Sequence, residues 1–299
     1  MRTRRGFTLV ELLIALVVMG VVSASIFSLL NTTQRVSRAQ SERASLQSNV
    51  RTGAIVIPEE LRQINTVAGG SAWQNDILQM NGTSIQYHAM RGLGVLCQTA
   101  TATDIRVYNS ATVAPNIAWV GYRDPVAVRD SMYVFIDGNT DKSSDDSWAR
   151  ARITAVSSSA TKCPGNKPGI QFTVNDITGQ AGAPAAGLVG VPAGTPIRTY
   201  EVMTLSFYQS NGEWWLGGQS NSAAEAMQPM LGPLRSGNGL ALRYFDAAGN
   251  ITADTKAVRR VEVTLRGLSD QAVVSGTGSS NAVVGDSLIT QVVLRNSLR

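Results

Sequence analysis

Residues 7–30 read FTLVELLIALVVMGVVSASIFSLL, 24 positions carrying a single charged side chain, Glu11. At about 1.5 Å per residue, a helix of that length crosses the roughly 30 Å hydrocarbon layer of a bilayer. Arg2, Arg4 and Arg5 stand immediately ahead of the run. Basic flanks stay on the cytoplasmic side, so everything after Leu30 is expected to be exported. A secretory signal peptide would share the basic start and the apolar stretch, with Ser23-Ala24-Ser25 as its small-residue cut site, and an uncut anchor would use the same run. Neither accounts for Glu11. An ionised carboxylate one turn inside an apolar span is costly without a partner, which makes it a functional candidate on physical grounds.

The stretch Arg5-Gly6-Phe7-Thr8-Leu9-Val10-Glu11-Leu12-Leu13 resembles the leader motif of type IV prepilins and type II secretion pseudopilins. That motif is a short basic leader ending in Gly, then a Phe, and a Glu four residues beyond it. The resemblance implies that a prepilin peptidase cuts between Gly6 and Phe7 and N-methylates the new amine of Phe7. Residues 1–6 would be the leader and 7–30 the membrane-spanning half of a long helix. It further implies an inner-membrane chain, its N-terminus cytoplasmic and its C-terminal domain periplasmic, that passes into a pilus or pseudopilus filament. Other major and minor pilins and the inner-membrane assembly platform would be its partners. Cleavage would free an amine cation at the edge of an apolar helix, and Glu11 would supply an anion in the same low-dielectric layer. Pairing the two between neighbouring subunits would neutralise charges that are each unfavourable alone.

Past Leu30 the chain turns polar but keeps a helical period. Leu46, Val50, Ala54, Ile57, Leu61 and Ile64 fall on one face, with arginines on the others, so residues 31–65 read as the amphipathic half of the same helix. The stripe predicts that the helix projects as far as about Arg43 and then lies on its own domain. Pro58 interrupts the stripe and predicts a kink or local break, and Gly20 marks the weakest point of the apolar half. From residue 66 to 299 the pattern becomes short and β-like. Candidate strands are 85–88, 104–108, 118–122, 131–136, 150–156, 169–174, 200–209, 213–217, 240–245, 258–265 and 287–294. Asn211-Gly212 between two apolar-aromatic runs is a hairpin signal. The tract 178–196 reads as an exposed Gly/Ala/Pro loop, and 269–285 as a second polar loop. The fold class is α+β: a long N-terminal helix packed on a C-terminal antiparallel sheet, as in pilins. The segments GLALRYFD and AAG, VRRVEVTL, and the closing VVLRN resemble the PilW-like minor pilins and J-type minor pseudopilins.

Cys97 and Cys163 lie 66 positions apart in no metal-ligand spacing. In a cytosolic protein they would be two thiols, whereas in an exported domain an even pair reads as one disulfide. The formal charge of +5 invites a nucleic-acid reading, but from Ala68 onward there are 18 basic against 17 acidic residues. The basic excess sits in the N-terminal arm and helix, so a phosphate-binding face is not expected. The second functional class, a filament-borne DNA-binding or adhesive receptor, would need more than Arg259, Arg260 and Arg266. The aromatic pair Trp214-Trp215 alternates across a strand, predicting one ring in the core and one exposed. No enzyme is expected: His88 is the only histidine, no Gly-x-Ser-x-Gly accompanies it, and in the strand-like IQYHAM it reads as structural. No cofactor is implied. Asp137, Asn139 and Asp141 form a weak Ca²⁺ candidate, since Lys142 and Trp148 stand where an EF-hand loop needs Gly and Glu.

Overall fold

The computed structural model describes residues 8–66, 75–109, 118–138, 141, 146–158, 161–179, 188–274 and 281–294. A long helix, α1 (Leu9–Arg62), comes first, and among the described residues the strands that follow pair only antiparallel. In order these are β1 (Ile77–Met80), β2 (Ser84–Val95), β3 (Asp104–Tyr108), β4 (Val120–Gly121), β5 (Ser131–Ile136) and β6 (Ser147–Ser157). Next come β7 (Lys162–Cys163), β8 (Lys167–Gly179), β9 (Pro196–Ser210), β10 (Glu213–Ser220) and β11 (Gln228–Leu234). The chain closes with β12 (Leu240–Phe245), β13 (Arg260–Leu268), β14 (Val273–Val274), β15 (Asn281–Ala282) and β16 (Gly285–Val293). The fold is α+β, a long helix on a large antiparallel sheet.

The sheet runs β12-β13-β11-β10-β9-β5-β6-β8-β3, with β2 joined to β9 and β16 to β13. The helix lies mainly against β16 and β13. Its buried residues are Leu46, Val50, Gly53, Ile57, Pro58 and Leu61. The stripe therefore begins at Leu46 as the periodicity requires, but Gly53, not Ala54, faces the sheet squarely. A Cβ built on Gly53 would lie 2.4 Å from Leu231 and 2.6 Å from Leu265, so a bare backbone is what lets the helix seat there. The local break expected at Pro58 does not occur. The helix continues through Pro58, itself buried against the domain, to Arg62. Packing of the flanking Ile57 and Leu61 holds the turn that the missing donor weakens.

Two apolar cores form on this frame. The first joins α1 to β1, β2 and β9–β13 and β16, with Leu61, Ile85, Tyr87, Leu205, Val263 and Leu265 at its centre. The second, around Ile105, Met132, Ile153, Phe172, Leu188 and Ile197, belongs to the excursion between β2 and β9. Cys97 and Cys163 are joined by a disulfide with a Cα–Cα distance of 5.7 Å, tying the start of that excursion to β7. The Gly/Ala/Pro tract is not simply an exposed loop: β8 takes up its first residues, and Leu188 and Val191 are buried in the second core. Residues 273–274 and 281–282 pair as a short ribbon inside the second polar loop. Asn211 and Gly212 close the β9–β10 hairpin with φ of +52° and +85°, the two-residue turn their identities demand. Trp214 and Trp215 are both half-buried, a correction to the expectation that one would be exposed. Trp214 stacks on Phe207 at 4.6 Å and Trp215 covers Gly232.

Candidate functional site

Helix α1 divides sharply into two halves. Every described residue from 8 to 38 is exposed, Leu9 to 80 %, and none of this stretch packs on the rest of the described residues. The helix is long and apolar enough to cross a membrane. An apolar stripe that touches nothing must be covered by something else, lipid or another chain, because exposed patches of that size are not tolerated in water.

At the start of this half, Thr8 is extended (φ −78°, ψ 152°) and caps the helix. The Thr8 backbone N–H and hydroxyl both donate to one carboxylate oxygen of Glu11, at 2.9 and 3.0 Å, and the Glu11 N–H donates to Thr8 Oγ1 at 3.3 Å. This is a capping box, in which two otherwise orphaned N–H groups are satisfied reciprocally. Within the single chain Glu11 is thus already engaged, and its anion sits at the positive end of the helix dipole. Both bonds from Thr8 use one carboxylate oxygen, so among the described residues the second oxygen is left to accept from a cation of a neighbouring chain. The signal for the capping box in the sequence, Thr-x-x-Glu ahead of an apolar run, lies within the same residues that carry the cleavage motif. Gly6 and Phe7, the candidate cleavage residues, lie outside the described residues.

The exported domain holds a second feature that sequence reasoning missed. Glu201 on β9 is 2 % exposed and accepts from the guanidinium of Arg91 on β2 and from Arg129 at 2.7 Å, with Ser220 donating at 2.9 Å. Burial alone would raise its pKa; the bonds from Arg91 and Arg129 outweigh it and hold the carboxyl at about 2. Arg91 also reaches Glu60 on α1 at 3.2 Å. Asp130, fully buried, takes two bonds from Arg123 at 2.7 and 2.6 Å, and Arg129 extends the network to Glu225. One charged network therefore ties the last turn of α1, two central strands and the loop 122–130 together. Its members are scattered from position 60 to 225, so no spacing announced it.

His88 lies buried in β2. Its Nδ1 is 2.9 Å from the Tyr133 hydroxyl and 3.3 Å from Asp76, and its ring packs on Tyr200 at 4.5 Å. Burial pushes the Tyr133 phenol well up. Asp76 also accepts from the Asn65 N–H at 2.8 Å, so the group pins the chain that leaves α1. Of the Ca²⁺ candidates, Asp137 and Asp141 are described and Asn139 lies outside the described residues. Among the described residues no cluster of three or more His, Cys, Asp and Glu could hold a metal. Arg259 is spent on Thr66 at 2.9 Å, Arg260 stacks over Phe245 at 4.4 Å, and Arg266 donates to the Asn238 carbonyl at 2.7 Å.

Residues 1–27 match the family model of the prokaryotic N-terminal methylation motif. No curated protein and no solved structure matches the chain. The matched segment covers the leader, Glu11 and most of the unpacked apolar half of α1. The motif and the helix together support a prepilin-like chain anchored to the membrane through its N-terminus.

Proposed function

We propose that this chain is a minor pilin or pseudopilin, cut by prepilin peptidase between Gly6 and Phe7, N-methylated on Phe7, and carried into a type IV pilus or a type II secretion-like filament. The observation that carries the reading is the apolar first half of α1, which matches the methylation motif and is left exposed by the other described residues. In the membrane lipid covers it. In a filament the equivalent halves of other pilins would cover it, with Glu11 pairing with the methylated amine of a neighbour. The inner-membrane assembly platform and the other pilins are the expected partners. The length of the exported domain, together with the GLALRYFD and VRRVEVTL segments, favours the PilW-like or J-type minor subunits.

The test is the N-terminal peptide mass of the protein from its native membranes. The reading requires a chain that starts at N-methyl-Phe7 and a Glu11→Ala variant that is processed but recovered from sheared filaments at a fraction of the parent level. A start near residue 26, or an intact Met1, would sink it. The alternative, a DNA-binding or adhesive subunit, has less behind it, because Arg259, Arg260 and Arg266 are each occupied locally.

A further inference from the structure

An open groove of about 550 Å³ runs between the last turn of α1, β2 and β4. Met90, Leu93, Val120 and Tyr122 give it an apolar floor and wall, and Arg62, Arg198 and a single acid, Glu59, stand at its sides. Three observations mark it as a prepared binding surface.

Its walls are rigid. Gly92 and Gly94 admit the Trp119 indole so closely that a Cβ on either would lie under 3 Å from the ring, and Trp119 packs in turn on Phe172 at 5.6 Å. That wedge fixes β4, which pairs with β2 at Leu93–Val120 and Gly92–Gly121. The next residues are held by the buried Arg123–Asp130 and Arg129–Glu201 pairs. Within that loop Val128 takes φ of +68°, a left-handed conformation that a β-branched residue adopts only when its surroundings impose it.

The groove also exposes what a folded domain normally hides. Tyr122 is 81 % exposed, its ring lying 5.4 Å from the Arg91 guanidinium, while Leu93 and Val120 are exposed beside it. A rigid aromatic with exposed aliphatic neighbours is the composition of an interaction centre.

The charge at its sides is only partly matched, two arginines against Glu59. The Arg198 guanidinium lies over the Trp148 ring at 5.1 Å and has no carboxylate partner among the described residues. Arg62 has only the exposed Glu59 at 3.9 Å, a surface pair worth little. Arg91, by contrast, is committed to Glu60 and Glu201.

We propose that this groove binds an extended acidic peptide segment of a partner protein, its carboxylates on Arg198 and Arg62 and its apolar side chains on Leu93, Val120 and Tyr122. Arginine's planar donor fork suits a carboxylate, and the aliphatic wall selects against a purely polar ligand. The inference does not rest on the filament reading; it concerns the far end of α1 from the methylation motif.

The full-length protein in detergent micelles is titrated against a fluorescein-labelled hexapeptide that alternates leucine with aspartate. The same peptide with asparagine for aspartate, and a labelled oligothymidylate, serve as competitors in class. The aspartate peptide should bind saturably and about tenfold or more tighter than its asparagine analogue, the loss expected when charge-assisted bonds are removed. Arg198→Gln and Tyr122→Ala should each weaken it by a similar factor, and Arg198→Lys should weaken it less than Arg198→Gln. Tyr122 is exposed enough that its truncation leaves the fold intact, so a melt identical to the parent's accompanies the loss. Equal binding of the two peptides, binding unchanged in both Arg198→Gln and Tyr122→Ala, oligothymidylate binding as tight as the peptide's, or no saturable binding would each overturn the proposal.

Discussion

Replacing Glu201 by Gln tests whether the buried charge network holds the exported domain together. The substitution keeps the shape but removes the anion that Arg91 and Arg129 approach and that Ser220 donates to. Arg91, itself buried, is left with Glu60 alone, at 3.2 Å. Breaking a buried pair from one side costs about 3–5 kcal/mol, since the remaining charge stays desolvated. A second route gives a similar figure. Glu201 is held at about 2 against an ordinary value of 4.5. At roughly 1.4 kcal/mol per pKa unit the difference contributes about 3 kcal/mol. Because the folded-state value is depressed, that contribution is present in full above about pH 4.5 and is lost as pH falls through 2. In a domain of this size 1 kcal/mol corresponds to about 2–4 °C in Tm, so Glu201→Gln should melt roughly 6–20 °C lower near neutral pH. Thermal melts followed by tryptophan fluorescence across pH 2–7 read both effects. The variant should lose the acid-dependent part of the curve that the parent shows between pH 5 and 2. A variant that melts within about 2 °C of the parent at pH 7, or keeps the parent's acid slope, would refute the assignment of Glu201 as the keystone of the network.

Three further outcomes follow from the packing. Replacing Cys97 and Cys163 by Ser opens a loop spanning 66 residues, which chain-entropy arguments value at about 4 kcal/mol; protease digestion should then cut first between β2 and β9. Gly53→Val places a branched side chain where Leu231 and Leu265 stand within 2.4 and 2.6 Å, and overpacking of this kind costs about 1–3 kcal/mol by denaturant unfolding. Thr8→Val removes the capping hydroxyl, which should cost about 1 kcal/mol of local helix stability, seen as faster amide exchange at Val10 and Glu11 in micelles; unchanged exchange would remove the capping box from the account.

Much of this architecture was legible in the chain because it rests on short-range pattern. The apolar run after three arginines, the stripe beginning at Leu46 and the Asn211-Gly212 turn each depend on neighbours within one or two turns of helix or hairpin. Strands 104–108, 131–136 and 240–245 fall where alternation puts them. Pro229 and Pro233 argue against a strand at β11, which is absent from the expected strands; it survives where β10 and β13 leave it a bulged, sparsely bonded place. The seating of Gly53 was hidden for a different reason. Periodicity marks apolar side chains, and a glycine that faces the sheet has none to mark.

The sequence by itself determined that the chain begins with a membrane-length helix carrying one acid, and that an antiparallel domain follows. Helical and strand periods are properties of the local backbone, readable wherever one face meets an apolar phase. Only the tertiary structure decided that the domain has two cores, that the loop after β8 returns to fill the second, and that Glu60, Arg91, Asp130 and Glu201 share one network. Those arrangements pair residues tens to more than a hundred positions apart. The cores draw their energy from apolar burial and the network from charge set against charge out of water, quantities that exist only once the chain has closed around them.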